Sequence, residues 1–115
     1  MDAWRTSDLD AVILCGGRGR RLQSVVRDRP KPLAIVQGRP FLDYVIDHAA
    51  RFGVRRFILA AGFQSGLIQD YCRNRPDRAR FQVVEEPHPL GTGGAVKFAE
   101  PFLQSDVFLI LNGDS

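Results

Sequence analysis

The hydrophobic residues of this chain are gathered in runs, and the runs predict strands. Three mostly apolar runs occupy residues 9–15, 56–61 and 106–111, and each is followed at once by glycine or by Asn-Gly. Runs without polar alternation are typical of strands buried on both faces of a parallel sheet. Residues 81–85 predict a shorter fourth strand, and residues 33–36 predict a minor strand or an extended segment.

Between these runs the hydrophobic pattern has the period of a helix. Phe41, Val45 and Ala49 lie four residues apart, with Pro40 before this stripe and Gly53 after it. Proline suits the first turn of a helix and glycine suits the position after its end, so a helix is predicted between them. Two further helices are predicted, from Ser65 to before Pro76 and from about Gly93 or Gly94 to near Phe102. Strands that alternate with helices indicate an α/β fold with a mostly parallel sheet.

Length and composition limit the class of protein. The 115 residues suffice for one domain, and 44% hydrophobic with 25% charged residues is typical of a globular chain. No apolar run approaches the ~20 residues of a membrane span, so we expect no membrane partner. The first ten residues contain acids where a signal peptide has a basic start, so we expect a cytoplasmic protein. Cys15 and Cys72 form no C-x-x-C pair, which predicts two reduced thiols.

The charges are unevenly distributed along the chain. Residues 1–80 contain fifteen basic and eight acidic side chains, a net charge of +7, whereas residues 81–115 have a net charge of −4. The most basic stretch is 18–31, in which Asp28 is the one acid. Such a positive segment indicates an anionic partner, either a nucleotide or a nucleic acid. Nucleic acid is disfavoured because no aromatic residues are interleaved with these arginines and because the last third of the chain is acidic.

A glycine-rich segment, GGRGRRL at residues 16–22, follows the first predicted strand. Glycines there let the backbone approach a ligand closely and point successive N–H groups at an anion. The segment is not a Walker loop, since no Gly-Lys-Ser/Thr follows, and it lacks the third glycine of the dinucleotide fingerprint. A glycine-rich turn with solvated arginines is the alternative interpretation.

A lysine between two prolines is the second candidate feature. Pro30 and Pro32 fix φ on either side of Lys31, and we expect this segment to be extended. A stiff backbone aims an ammonium group with little loss of freedom, as a phosphate-binding lysine requires. The alternative is a surface loop with a solvated lysine.

The third candidate is the segment EEPHPLGTGG at residues 85–94. Its glycines suit a loop that wraps a flat ring and then begins a helix. Glu85 and Glu86 could accept hydrogen bonds from the N1–H and exocyclic amine of guanine. The alternative is an exposed, charged strand end, and His88 is interpreted as a solvated loop residue rather than a base.

A carboxylate follows the most apolar strand of the chain. Asp114 would lie at the carboxyl end of a central strand, where α/β sheets bind ligands. Carboxylate and phosphate oxygens are ligands that Mg²⁺ prefers. An aspartate that serves only the turn is the alternative.

In this order, the four segments resemble the sugar-1-phosphate nucleotidyltransferases, also called nucleoside-diphosphate-sugar pyrophosphorylases. The family pattern is a strand, L-x-G-G-x-G-x-R-L, P-K-P, a G-T-x-G loop and a strand that ends in G-D. The chain matches it at residues 14–22, 30–32, 90–94 and 113–114. Its finer resemblance is to D-glycero-D-manno-heptose 1-phosphate guanylyltransferases, and mannose-1-phosphate guanylyltransferases come second. Cys15, where alanine is usual, is a small departure.

The resemblance implies a Rossmann-like sheet with helices on both faces, in which the first and fourth main strands are neighbours. It implies nucleotidyl transfer from an NTP, with GTP expected, to a heptose or mannose 1-phosphate, with release of pyrophosphate. The product would serve polysaccharide synthesis, and Mg²⁺ is the implied cofactor. A homo-oligomer is compatible with the sequence, which does not determine the oligomeric state.

The resemblance also assigns roles to individual residues. Arg21 would hold the leaving β,γ-phosphates, Lys31 would contact the α-phosphate and the sugar phosphate, and Asp114 would bind the Mg²⁺. The implied nucleotide-binding residues are Leu14, Gly16, Gly17, Arg18, Gly19, Glu86, Gly91 and Thr92.

Members of this family are more than twice as long as this chain. We therefore expect residues 1–115 to be the nucleotide-binding, N-terminal part of a nucleotidyltransferase domain, truncated after the Gly-Asp motif and catalytically weak by itself. Two alternatives stay open: a non-catalytic regulatory homologue that binds nucleotide, and a thymidylyl-, uridylyl- or cytidylyltransferase of the same family.

Overall fold

A computed structural model of the chain describes residues 9–15, 25–26, 29–62, 65–88 and 90–113. Its centre is a parallel sheet of four strands: β1 (Asp10–Leu14), β2 (Arg56–Ala61), β3 (Phe81–Glu85) and β4 (Phe108–Asn112). The strands are arranged in the order β3-β2-β1-β4. The predicted α/β class is confirmed, and the first and fourth strands are neighbours, as the resemblance implied.

Three helices connect or flank these strands: α1 (Phe41–Arg51), α2 (Ser65–Arg73) and α3 (Gly91–Ala99). α1 lies between Pro40 and Gly53, as predicted, and Gly53 has a φ of +92° that suits glycine. α3 begins at Gly91, two or three residues before the predicted start at Gly93 or Gly94, and a 3-10 turn (Glu100–Phe102) extends it to the predicted end. None of the described helices is long and apolar enough to cross a membrane.

Side chains of the sheet alternate between two apolar layers. On one face, buried residues such as Ile13, Phe57 and Leu59 pack with residues of α1 and α2. On the other face, Val12 and Ile58 pack with residues of α3. Both faces of the central strands are therefore covered, which explains why their sequences are apolar without alternation.

Short segments join β1 to α1. The pairs Val25–Val26 with Arg29–Pro30, and Ile35–Val36 with Arg39–Pro40, are antiparallel. Between them Lys31–Leu33 forms a 3-10 turn, closed by the Ala34 N–H donating to the Lys31 carbonyl at 3.0 Å. The prediction that the chain stays extended through Pro32 was wrong, because a proline φ is also that of a 3-10 turn.

A half-buried polar cluster joins α1, α2 and the 3-10 turn (Arg78–Arg80) that precedes β3. Arg75 donates to Asp77 at 2.8 Å and to the Tyr71 hydroxyl at 3.0 Å, and Tyr71 donates to Asp43 of α1. The Arg75 guanidinium also lies 5.1 Å from the ring centre of Phe81. These contacts fix α2 beside the first residue of β3.

Candidate active site

The carboxyl ends of β1 and β4 lie side by side at one edge of the sheet. Leu14 is opposite Asn112, and the Gly113 N–H donates to the Leu14 carbonyl at 3.0 Å. This is the point where the strand order reverses, and open α/β sheets bind ligands in the crevice outside it. In the sequence, the predicted glycine-rich segment begins directly after Cys15, and Asp114 directly follows Gly113.

Several predicted site residues lie outside the residues that the structure describes. They are the candidate phosphate-binding and metal-binding residues Gly16, Gly17, Arg18, Gly19, Arg21 and Asp114. Their roles stay predictions. The described part of the chain contains no group of three or more His, Cys, Asp or Glu that could hold a metal ion.

Gly113 is required by the close approach of the two strand ends. A Cβ at this position would lie 3.1 Å from Ile13 Cγ2, 3.2 Å from the Leu14 carbonyl oxygen and 3.3 Å from Cys15 Sγ. The Leu14 contact is with backbone, which cannot rotate away. The glycine of the predicted Gly-Asp motif therefore has a packing role, which brings the segment after β4 against the end of β1.

Glu86 is a buried carboxylate at the same edge of the sheet. It directly follows β3, its N–H donates to the Ala61 carbonyl at 2.8 Å, and it is 8% exposed. Its Oε1 atom lies 4.0 Å from where a Cβ at Gly62 would be. Glu85, the other predicted base-binding carboxylate, is exposed. Of the two, the geometry favours Glu86.

Burial raises the pKa of Glu86, while a hydrogen bond from the Leu90 backbone and the nearby His88 lower it. Because burial is the largest of these causes, the ionised carboxylate is only partly compensated in the described structure. A ligand that donates hydrogen bonds to it would relieve this cost. The N1–H and amine of guanine have that pattern.

Gly91 and Thr92 belong to the first turn of α3 rather than to a loop before it, which corrects the predicted helix start. Both are exposed, and Gly91 has a φ of +73°. Leu90, the residue before the helix, makes no side-chain capping hydrogen bond to it, and the Leu90 N–H donates to the Glu86 carboxylate. Gly94 has a packing role, because a Cβ there would lie 2.8 Å from the Leu90 Cβ.

Lys31 is exposed at the start of its 3-10 turn, while Pro32 and Leu33 of the same turn are buried. Leu33 belongs to the core cluster that also contains Leu42 and Ile46 of α1. The backbone of Lys31 is thus anchored by its buried neighbours in a turn, not in an extended segment, and its side chain is exposed; its phosphate-binding role stays a prediction.

Sequence reasoning missed Gly62 as part of the site. It was interpreted only as the end of a strand, yet it lies beside the Glu86 carboxylate, where a larger side chain would fill the space. The available signal was positional: Gly62 follows β2 as Gly113 follows β4, and both strands end at the carboxyl edge of one parallel sheet, where α/β folds generally bind ligands.

Comparison with known proteins agrees with the family resemblance found in the sequence. The family described as the MobA-like NTP transferase domain matches residues 11–115. The D-glycero-alpha-D-manno-heptose 1-phosphate guanylyltransferase of Campylobacter jejuni is 36% identical over 107 residues, which are 93% of this chain and 48% of that protein. These matches confirm the predicted resemblance.

Two solved structures have a similar fold. The crystal structure of HddC from Yersinia pseudotuberculosis, complexed with GMP-PN, has a TM-score of 0.78 and 38% identity over 92% of this chain and 48% of that one. The inositol-1-phosphate CTP transferase from T. maritima has a TM-score of 0.79 and 26% identity over 96% of this chain and 45% of that one. The chain spans about half the length of these proteins.

Proposed function

The chain belongs to the MobA-like NTP transferase domain family, and from this premise we propose that it forms the NTP-binding part of a sugar-1-phosphate nucleotidyltransferase. In this reaction a phosphate oxygen of the sugar 1-phosphate attacks the α-phosphorus of the NTP, and pyrophosphate leaves. The observation that supports the proposal most is the pairing of Leu14 with Asn112, closed by the Gly113 N–H. The glycine-rich segment and Asp114 therefore follow, in sequence, two strand ends that are neighbours in the sheet.

Phosphoryl chemistry of this kind requires positioning and charge neutralisation more than covalent participation by the protein. We assign Arg21 to the leaving β,γ-phosphates and Lys31 to the α-phosphate and the sugar phosphate. The exposed ammonium of Lys31 on a buried Pro32-Leu33 anchor supports the second assignment. Backbone N–H groups of residues 16, 17 and 19, with Leu14 and Arg18, would surround the nucleotide.

GTP is the proposed nucleotide, and Glu86 is the reason. Its buried carboxylate accepts a hydrogen bond from the backbone of Leu90, directly before α3, so a base held at the start of that helix could also donate to it. The fold by itself does not select the base, since a CTP transferase and HddC have equal structural similarity to this chain. A heptose 1-phosphate is the proposed acceptor, after the Campylobacter jejuni relative.

Mg²⁺ is the proposed cofactor, held by Asp114 together with phosphate oxygens of the nucleotide. One carboxylate with phosphate oxygens and water suits this ion, which usually keeps several waters. The metal would neutralise phosphate charge when bound. The part assigned to this chain is to supply the carboxylate at the β4 end.

A thermal-shift panel tests the proposal. With Mg²⁺ present, GTP should raise the Tm more than ATP, CTP or UTP, because a ligand at about 100 times its Kd stabilises a fold by about 2.7 kcal/mol. The Lys31→Ala variant should lose most of the GTP-induced rise. Lys97→Ala is the matched control, since Lys97 is the second lysine of the chain and its side chain is 84% exposed on α3.

A variant of Glu86 tests the proposal that the base is guanine. Glu86→Gln keeps the shape and an acceptor for the Leu90 N–H but removes the charge, so the preference for GTP over CTP should fall. Absence of a shift with every NTP would contradict the proposed site. A GTP shift without pyrophosphate release by the full-length gene product, in the presence of heptose 1-phosphate and Mg²⁺, would favour the regulatory alternative.

A further inference from the structure

A groove away from the proposed nucleotide site runs between α2 and β3. Its volume is about 290 Å³. The helix contributes Gln69, Cys72 and Arg73, the strand contributes Phe81 and Val83, and Arg78 lies at the end where the strand begins. The floor is therefore apolar and the rim is basic.

The backbone of β3 is open along this groove. β3 is an edge strand of the described sheet, and Glu86 bonds to Ala61 of β2, so the N–H and C=O groups of alternate residues 82, 84 and 86 face β2. Those of Phe81, Val83 and Glu85 face the opposite way. The Phe81 N–H is bonded to the Arg78 carbonyl, which leaves the Val83 N–H and C=O at the centre of the outward row.

The charge at this groove is positive. Arg73 forms an ion pair with Asp70 at 2.6 Å. Within the described ranges, no carboxylate forms an ion pair with the exposed Arg78.

We propose that this groove binds an extended acidic segment of a partner protein, which adds to β3 as a further strand. The segment would bond to the outward groups of Val83, place an apolar side chain against Phe81 and Cys72, and place a carboxylate at Arg78. Strand addition beside a helix is a recurrent mode of peptide recognition: main-chain bonds give affinity and alternate side chains give specificity.

The charge at the start of β3, where the exposed Arg78 lines the groove, selects the occupant. An acidic segment brings the opposite charge to this position. A second copy of this chain, paired antiparallel about Val83, would instead place Glu85 of one copy opposite Phe81 of the other, with the two Arg78 side chains at opposite ends of the pair. The oligomeric state of the protein distinguishes these two occupants.

The binding test uses a fluorescent peptide of alternating valine and glutamate, about six residues long to match a strand. Fluorescence anisotropy should show saturable binding that weakens as salt increases, and a valine-lysine peptide should not bind. Arg78→Glu should weaken binding by about tenfold or more, because it opposes like charges. Arg80→Glu is the matched control, since Arg80 does not line the groove, and it should retain most of the affinity.

A backbone variant tests strand addition itself. Val83→Pro removes an outward N–H, and proline is tolerated on an edge strand where that group faces solvent. It should abolish peptide binding while leaving the Tm within a few degrees of the parent. Equal binding of the lysine peptide, equal losses in Arg78→Glu and Arg80→Glu, or unchanged binding by a folded Val83→Pro variant would each overturn the proposal. So would a concentration-dependent dimer that excludes the peptide.

Discussion

Two buried carboxylates lie at opposite ends of the strands of the same sheet, one at the amino ends and one at the carboxyl ends, and their surroundings differ. Asp10 begins β1 at the amino edge and is 3% exposed; Glu86 follows β3 at the carboxyl edge and is 8% exposed. Asp10 accepts hydrogen bonds from the Gln104 N–H at 2.6 Å, the Ser105 N–H at 3.3 Å and Arg56 at 3.3 Å. Glu86 has the Leu90 N–H, and burial is the main influence on its pKa.

The difference is that between a structural carboxylate and the carboxylate that we propose to bind the base. The donors around Asp10 come from β2 and from the loop that leads into β4, so the carboxylate joins three neighbouring strands. Glu86 instead lies beside Gly62, which has no side chain, and accepts a hydrogen bond from the backbone of Leu90, the residue before α3. Incomplete compensation of a buried charge is typical of functional sites.

The largest expected loss of stability comes from removing the Asp10 carboxylate. Asp10→Ala leaves Arg56 and two backbone N–H groups without their acceptor, so we expect the free energy of unfolding to fall by about 2–3 kcal/mol. Urea denaturation measures this change. Asp70→Ala is the control, because its ion pair with Arg73 is exposed and should contribute less than about 1 kcal/mol. A similar loss of stability in both variants would show that the contacts of buried Asp10 contribute no more than an exposed ion pair does.

The two carboxylates also show what the sequence could and could not predict. The strands and helices follow from local periodicity, and Glu86 was a candidate because it ends a strand and precedes a glycine-rich turn. Asp10 gave no such signal: it is one polar residue in an apolar run, and its acceptor role depends on residues 94 and 95 positions away. The same limit applies to Gly62, whose proximity to Glu86 exists only once β2 and β3 are paired.

The turn at Lys31 was mispredicted for a different reason. A proline φ fits both an extended strand and a 3-10 turn, so the local preference does not choose between them. Burial of Pro32 and Leu33 against α1 decides it in the structure. Conformations that depend on packing between elements are those that periodicity cannot predict.

A smaller loss is expected at the carboxyl edge when the strand ends are pushed apart. In Gly113→Ala, the new Cβ would crowd Ile13 Cγ2 and the Leu14 carbonyl, so we expect a loss of about 1–2 kcal/mol in stability. The GTP-induced Tm rise should also shrink, because the ends of β1 and β4 would separate.

Gly66→Ala is the matched control for this substitution. Nothing lies within 4 Å of a Cβ at Gly66, which is in α2, so alanine there should add about 0.5–1 kcal/mol of stability. If Gly113→Ala were as stable as the parent and kept the full GTP response, close contact between the strand ends would not be required.

The smallest effect is expected at Glu86, and it has the opposite sign. Because burial raises its pKa, the folded chain holds this proton more tightly than the unfolded chain does, and stability falls as pH rises through the raised value. Glu86→Gln removes that titration, so its Tm should exceed the parent's at pH 7. The gain should shrink as the pH falls towards the ordinary pKa of glutamate and disappear below about pH 4, where both the folded and the unfolded parent become protonated. Thermal melts of both proteins across this range measure the difference. A variant less stable than the parent at pH 7 would show that ionised Glu86 is as well compensated as Asp10, and the contrast between the two edges would be lost.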